Sequence, residues 1–265
     1  MSTSSVLSIS NLVVKFGGLT ALDDVFLDVA PNTIVGLIGP NGAGKTTLFN
    51  SIAGLVSADS GKVSINGKNM DWPKSYELAG LGISRTLQGV GLFSGLSVIE
   101  NVMMGADIQS GSNFFKDLLG LSGKSERKLR RKAEDALAWA GALALADKSP
   151  SDLTYPETKR ISIARALVSE PKILLLDEPA AGLGQDDIDK FAELLKQLKK
   201  KCAIIIVEHH VDFIGEVSDQ VYVLNFGKVI ASGTFDVVKR DPAVLAAYLG
   251  TSSQSGSDQL GGRDA

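Results

Sequence analysis

The stretch that decides the fold is Gly39-Pro40-Asn41-Gly42-Ala43-Gly44-Lys45-Thr46-Thr47, a complete G-x-x-x-x-G-K-[ST] loop. An apolar, β-branched run at residues 33–38 precedes it, and residues 48–53 have the composition of a helix. A strand, a glycine loop and a helix in this order predict a phosphate cradle. Glycine lets backbone N–H groups turn inward, and the helix N-terminus adds roughly half a positive charge. In such a cradle Lys45 supplies a point charge for the β- and γ-phosphates, and the Thr46 hydroxyl is a ligand for Mg²⁺. A glycine-rich turn with a chance lysine is the alternative, and it does not account for the flanking strand and helix.

Size, charge and cysteine content limit the class of protein. The chain has 265 residues, of which 44% are hydrophobic and 22% charged, as in a soluble globular protein with a sizeable core. Its net charge of −3 disfavours a nucleic-acid partner, because such binders usually carry a basic face. We expect no membrane span, since no apolar run approaches 18 residues. We also expect no secretory signal, since residues 1–5 lack a charged n-region followed by an apolar h-region. Cys202, the only cysteine, excludes an internal disulfide, fits the cytosol and is interpreted as a small core residue.

The other apolar patterns predict further strands and helices. Strands are predicted at residues 6–16, 25–29, 61–67, 83–88, 172–179 and 203–207, a hairpin at 221–231, and helices from Ser97 to Met104 and at 125–140, 158–168 and 186–201. Residues 88–91 are interpreted as a hinge, residues 106–124 as a variable loop or short helix, and residues 251–265 as a disordered tail. The basic run at 127–132 is typical of a solvated helix face, with a membrane-surface role as the alternative.

Acidic and aromatic residues at strand ends are the candidates for chemistry. Adjacent acids after an apolar strand are costly without a role. Asp177 is placed to hold Mg²⁺, directly or through water, and Glu178 to polarise the water that attacks the γ-phosphate. Acids that cap the next turn are the alternative. A neutral His209 would hydrogen-bond the γ-phosphate, although a lone histidine at a strand end is more often structural. Phe16 is either a core residue, which the pattern favours, or a surface on which a purine stacks.

With these parts in place, the chain resembles the ATP-binding subunits of ABC transporters over residues 6–250, which are interpreted as one domain. The counterparts are Phe16 for the adenine-stacking aromatic, residues 39–47 for the Walker A loop, Gln88 for the Q-loop glutamine, residues 153–157 for the signature segment, Asp177 for the Walker B aspartate, Glu178 for the catalytic glutamate and His209 for the switch histidine. The resemblance implies catalysis by Glu178, His209 and Gln88. It implies ATP binding by the loop, Phe16, Asp177 and Thr154, and Mg²⁺ binding by Thr46, Gln88 and Asp177.

Several stretches resemble the importers of the branched-chain amino-acid type in particular. These stretches are residues 16–22, 85–88, 98–101, 177–183, 207–209 and 247–250. The resemblance implies an α/β fold of the P-loop NTPase class, with a parallel core sheet, an antiparallel β region and a helical subdomain at about residues 90–160. It also implies a peripheral location at the cytoplasmic face of the plasma membrane. The implied partners are membrane permease subunits, a second ABC ATPase subunit in a head-to-tail dimer and, indirectly, an extracytoplasmic solute-binding protein. Gln88 and the helix from Ser97 would face the permease.

Two departures from the family pattern concern the dimer. The family signature L-S-G-G-Q is replaced from Thr154 onwards by Thr-Tyr-Pro-Glu, and the D-loop ends in Gly184 where aspartate is usual. Both segments act across the dimer interface, so we expect the effect at the partner's ATP site. The signature helix should fold normally, because Thr154 and Glu157 have capping-box spacing. Its anion site should be weakened, because Pro156 lacks an N–H and Glu157 adds a negative charge. An asymmetric heterodimer is therefore favoured.

Two other functions stay open. A soluble ABC ATPase would act on nucleic acid or ribosomes, but such proteins tend to carry two cassettes or a long coiled-coil insert, and this chain has neither. A regulator that binds nucleotide and hydrolyses it poorly is favoured by the altered signature and disfavoured by the intact Asp177–Glu178 pair. The transported solute would not contact this subunit, so the resemblance does not identify it.

Overall fold

The computed structural model describes residues 5–86, 91–110 and 123–252, and its strands form two sheets. The first sheet contains β1 (Leu7–Phe16), β2 (Leu19–Val29), β4 (Ser60–Ile65) and β5 (Lys68–Met70), and the second contains β3 (Ile34–Ile38), β6 (Ile83–Arg85), β7 (Ile173–Asp177), β8 (Ala203–Val207), β9 (Gln220–Asn225) and β10 (Lys228–Gly233). The first is antiparallel, in the order β2-β1-β4-β5. The second has the order β10-β9-β3-β8-β7-β6 and is parallel except for β9–β10. The expected parallel core sheet and antiparallel region are confirmed.

The register of the core sheet brings three strand ends to one edge. β3 and β8 are buried at every position, as continuous apolar runs in the middle of a parallel sheet should be. Val207 of β8 lies between Leu37 of β3 and Asp177 of β7. The segments that follow these strands therefore begin side by side, at the edge where ligands bind in open α/β sheets.

The described part of the chain also contains helices. They are α1 (Lys45–Ile52), α2 (Val98–Ser110), α3 (Gly123–Trp139), α4 (Tyr155–Leu167), α5 (Gln185–Leu198), α6 (Val211–Val217), α7 (Phe235–Val238) and α8 (Pro242–Ser252), with 3-10 turns at Ser75–Glu77, Leu143–Leu145 and Pro150–Asp152. Helices α2, α3 and α4 pack against one another. Helix α1 packs against β2 and β8, directly after the glycine loop. Across the described ranges, no helix combines the length and the apolar character that crossing a membrane requires.

Two apolar clusters occupy the opposite faces of the core sheet. Ile34 and Ile38 belong to the cluster beneath α2 to α6, whereas Val35 and Leu37 belong to the cluster shared with α1 and the antiparallel sheet. The alternation of side chains along β3 causes this division. Each such side chain contributes about 1.5–3 kcal/mol by burial, so both layers hold the strand that precedes the glycine loop. Cys202 is buried in the first cluster, as predicted.

Several element boundaries differ from those predicted. Helix α4 begins at Tyr155 rather than at residue 158, because the capping box of Thr154 and Glu157 starts it earlier. Helix α5 ends at Leu198 rather than at residue 201, where the N–H groups of Lys201 and Cys202 bond its last carbonyl in a turn. Strand β2 begins at residue 19 rather than 25, α1 begins at the loop lysine, and β6 ends three residues early. Most of the expected hinge at 88–91, of the expected loop at 106–124 and of the expected tail at 251–265 lies outside the described residues.

Candidate functional site

The glycine loop between β3 and α1 has a backbone that requires glycine at two positions. Gly39 has φ +150°, and a Cβ atom there would lie 2.1 Å from the Leu224 carbonyl oxygen. Gly44 has φ +101°, and its Cβ would lie 2.9 Å from the Ala21 carbonyl oxygen. Gly44 caps α1 without a side-chain hydrogen bond. The first-turn N–H groups of α1 therefore face an anion-binding position that no side chain of the cap occupies.

The Lys45 ammonium is held over the same loop. The side chain is buried, and Nζ donates hydrogen bonds to the Gly39 carbonyl at 2.6 Å and the Pro40 carbonyl at 2.9 Å. Burial lowers the pKa of Lys45, and the negative charge of Glu178 acts in the opposite direction. The Lys45 ammonium is thus preorganised beside the anion position, and it interacts electrostatically with the Glu178 carboxylate.

A cavity of about 700 Å³ opens above the loop. It is lined by residues 41–47 of the loop, together with Phe16, residues 19–21, His209, Phe226 and Gly227. The prediction that Phe16 lies in the core is wrong, because its side chain is 52% exposed and contacts this cavity. Phe16 is the last residue of β1, next to the Gly17–Gly18 turn and beyond Val14, the last residue of β1 that belongs to the buried cluster. An exposed aromatic ring here can stack on a nucleobase.

Glu178 and His209 follow neighbouring strands and contact each other. The distance between Glu178 Oε1 and His209 Nε2 is 3.1 Å, and both side chains are partly exposed. The pairing of Asp177 with Val207 continues in a hydrogen bond from the Glu178 N–H to the Val207 carbonyl at 2.9 Å. Glu178 has φ +45°, a conformation that is rare for residues other than glycine and that often occurs at functional sites. A carboxylate paired with an imidazole can accept and hold a proton.

Asp177 lies deeper than Glu178 and is paired with an arginine. Arg85 donates to Asp177 Oδ2 at 2.9 Å and to Asn50 Oδ1 at 3.0 Å, while its guanidinium lies 4.9 Å from the Phe49 ring centroid. Asp177 does not line the 700 Å³ cavity, whereas Thr46 does. The sequence patterns did not single out Arg85 as a site residue, although it belongs to the 85–88 stretch that resembles importers. The pair connects β6, the strand before Gln88, to β7, the strand that ends in Asp177.

The oxygen donors of this region suit Mg²⁺ better than a transition metal. A hydroxyl at Thr46 and a carboxylate at Asp177 are hard ligands, and Mg²⁺ is usually held by one or two such groups plus substrate phosphates. Within the part of the chain that the structure describes, no cluster of three or more histidine, cysteine or acidic side chains could hold a metal by itself. These residues therefore fit a cation that arrives with a nucleotide.

A second buried acid, Glu208, was missed from the sequence. Its side chain is buried and accepts hydrogen bonds from the N–H groups of Ala180 at 2.7 Å, His209 at 2.9 Å and His210 at 3.3 Å. It therefore holds the segment after Glu178 against the segment that carries His209. An acid at the end of the apolar β8 run was the available signal.

Several of the predicted site residues that the structure describes do not line this cavity, namely Gly39, Pro40, Thr154, Asp177 and Glu178. Thr154 caps α4, is exposed and does not line the cavity. The same helix contacts the segment after β7, since the Tyr155 hydroxyl donates to the Ala181 carbonyl at 3.2 Å and Lys159 Nζ to the Glu178 carbonyl at 3.3 Å. Gln88, predicted as a catalytic and metal-binding residue, lies outside the described residues.

Comparisons with known proteins identify relatives along most of the chain. The ABC transporter family matches residues 22–181, and a branched-chain amino acid ATP-binding cassette transporter family matches residues 228–253. The high-affinity branched-chain amino acid transport ATP-binding protein LivG of Escherichia coli K12 is 37% identical over 251 residues, which cover 92% of this chain and 98% of that protein. The lipopolysaccharide export system ATP-binding protein LptB of Haemophilus influenzae is 34% identical, over 93% and 98% of the two chains. The crystal structure of the ADP conformation of MJ1267, an ATP-binding cassette of an ABC transporter, has a TM-score of 0.83 and 31% identity, covering 94% of this chain and all of that one.

Proposed function

The chain belongs to the ABC transporter family of ATP-binding proteins, and from this membership we propose that it hydrolyses ATP to power a membrane importer. The proposed solutes are branched-chain amino acids or related small molecules. The observation that carries the proposal is one cavity that contains a glycine loop with a preorganised lysine and reaches His209, the partner of Glu178. Charge neutralisation and positioning of a triphosphate are the main requirements of phosphoryl transfer, and this cavity supplies both.

ATP binding is assigned to the loop and to the cavity around it. The N–H groups of the loop and of α1 bind the phosphates, and Lys45 supplies a positive charge beside them. The exposed ring of Phe16 stacks on the adenine. Thr46, Asp177 and Gln88 are the proposed ligands of Mg²⁺, which neutralises phosphate charge when it is bound. Thr154 is proposed to contact nucleotide in the partner's site, since it does not line this cavity.

Hydrolysis is assigned to the residues after β7 and β8. Glu178 acts as the base that takes a proton from the attacking water, and His209 orients this carboxylate through the 3.1 Å contact. Glu208 holds both segments in register through three backbone N–H groups. Gln88 is proposed as a third participant on the family resemblance alone.

The transport role rests on the relatives. LivG is named as a branched-chain amino acid transport protein, and the family matched at residues 228–253 has the same transport class. LptB is named for lipopolysaccharide export, so export is the second candidate. The relatives are transport proteins and give no support to an ATPase that acts on nucleic acid or ribosomes. We take residues 6–250 as one ATP-binding domain, with residues 90–160 as its helical part.

The proposed partners follow from the dimer arrangement of the family. A second ABC ATPase subunit would place its Walker A loop against α4 of this chain, and permease subunits would dock at the Gln88 region and α2. Met103 and Met104 of α2 are half-buried, and Met103 packs against the core, so the permease contact would use the exposed side of this helix. This arrangement gives a peripheral location at the cytoplasmic face of the plasma membrane, with a solute-binding protein on the opposite side.

Solute uptake tests the proposal. Cells in which the chain carries Glu178→Gln should keep the protein but lose uptake of radiolabelled leucine, isoleucine and valine, while uptake of an unrelated sugar stays normal. Unchanged amino-acid uptake together with a defect in the outer membrane would replace import by export. Unchanged ATPase activity of the purified variant would refute the assignment of the base.

A further inference from the structure

The turn between β9 and β10 carries an aromatic residue that neither packing nor backbone geometry explains. The turn is Asn225-Phe226-Gly227, with φ +45° at Phe226 and +77° at Gly227. Positive φ at both positions favours asparagine, aspartate or glycine, and a bulky residue there is an outlier. Phe226 is also 88% exposed, the largest exposed fraction among the large hydrophobic side chains of the described residues. Neither the conformational preference of the turn nor burial in the core therefore accounts for a phenylalanine at this position.

This turn is hydrogen-bonded to the phosphate loop and to strand β2. The Gly227 N–H donates to the Ala43 carbonyl at 3.0 Å, and the Gly227 carbonyl accepts from the Asp23 N–H at 2.9 Å. Lys228 beside it pairs with the Asp23 carboxylate at 3.0 Å. Hydrogen bonds on both sides hold the turn in one place relative to the loop, so the position of Phe226 is defined although its ring is largely exposed.

Phe226 lines the same cavity as Phe16, the residue proposed to stack on adenine. The loop and the α1 N-terminus are the proposed phosphate site, so the base and ribose of a nucleotide would lie towards the remaining lining residues, which include the two exposed rings. A volume of about 700 Å³ is within the range of small-molecule sites and leaves room for a purine beside both rings. Exposed aromatic side chains at a nucleotide site stack on bases because every base has a π-face.

We propose that Phe226 is a second aromatic contact for the base or ribose of the bound nucleotide, acting with Phe16. This inference rests on the proposed ATP site and adds a residue to it. The strained turn is retained because the ring contributes to nucleotide affinity rather than to the fold. Alanine substitution at base-stacking positions weakens binding by roughly one to two orders of magnitude, and a largely exposed ring belongs at the lower end, about tenfold.

The test separates base binding from phosphate binding. Phe226→Asn suits a turn with positive φ, so the melting temperature should stay the same or rise. Its affinity for ATP should fall about tenfold, while its affinity for inorganic triphosphate stays at the parental value. Phe226→Trp, which keeps an aromatic ring at this position, should retain the parental affinity for ATP. Phe93→Asn, at another exposed phenylalanine that does not line the cavity, is the matched control and should change neither affinity.

Three results would overturn the inference. Parental ATP affinity in Phe226→Asn would show that the ring makes no contact with nucleotide. Equal losses for ATP and triphosphate would show that the substitution disturbs the loop instead. A parental chain that binds triphosphate but not ATP would refute the base site as a whole. A parental chain that binds neither would refute the proposed function itself, and this outcome is distinct from the other three.

Discussion

We predict that Pro156→Gly, in the first turn of α4, raises ATP turnover at the partner's ATP site. A helix start offers four backbone N–H groups to an anion. Here the Thr154 N–H donates to Glu157 Oε2 at 2.7 Å, and the Glu157 N–H lies 3.4 Å from Thr154 Oγ1. Pro156 has no N–H. Among the N–H groups of residues 154–157, all of which the structure describes, only that of Tyr155 has no acceptor. The capping box that starts the helix therefore uses most of the donors that a γ-phosphate needs.

The magnitude follows from the number of donors restored. A hydrogen bond to a charged group is worth about 1.5–3 kcal/mol, so one added N–H should raise turnover at the partner's site by at least about tenfold. Glycine in the first turn is less favourable than proline, and the loss of stability should be about 1 kcal/mol or less. Glu157→Gln keeps the capping-box hydrogen bonds and removes the charge, so it should also raise turnover while the helix stays intact.

The assay is ATPase activity of the assembled transporter, with the catalytic glutamate removed from one ATPase subunit at a time. This isolates the site served by the α4 signature of this chain. Pro242→Gly, at the first residue of α8, is the matched control, because it loosens another helix start and should give no gain in turnover. If Pro156→Gly gave no gain in turnover, the missing N–H donor would not limit the partner's site. Equal losses of ATPase activity when either subunit lacks its glutamate would refute the asymmetric heterodimer.

Four further predictions concern this chain's own site and its docking surface. Lys45→Ala should abolish tight ATP binding, measured with a fluorescent ATP analogue; unchanged affinity would contradict the assignment. Burial lowers the pKa of Lys45, so ATP affinity should fall as pH rises through that pKa, below the range of an ordinary lysine, and Lys45→Arg should remove this fall. Glu178→Gln should bind ATP but turn it over on the order of 10²-fold more slowly, with closed dimers accumulating, and its stability should change by less than about 1 kcal/mol because the contact with His209 is partly exposed; parental turnover would exclude Glu178 as the base. Cysteines on the exposed side of α2 should cross-link to permease loops, and cross-links from the opposite side alone would refute docking there.

Local patterns were sufficient for the phosphate loop and for the main strands. The glycine spacing and the lysine are contiguous in the chain, and their geometry depends on backbone sterics that a short stretch determines. The continuous apolar runs of β3, β7 and β8 indicate strands buried on both faces of a parallel sheet. Because the ends of such strands lie at the ligand-binding edge of a parallel sheet, the acids and the histidine that follow these runs could be recognised from the sequence as candidate site residues.

Contacts between distant residues were decided only by the tertiary structure. Phe16 has the character of a core residue, yet it lies beyond Val14, the last residue of β1 in the buried cluster, and lines the cavity. Phe226 is 210 residues away in the chain and reaches the same cavity because the β9–β10 turn is bonded to the loop. Arg85 joins Asp177, and Glu208 joins Ala180, through the pairing of β6, β7 and β8. Composition and periodicity determine which side of an element is apolar, but which side chains meet at an edge depends on strand order and register, which no single stretch of this chain specifies.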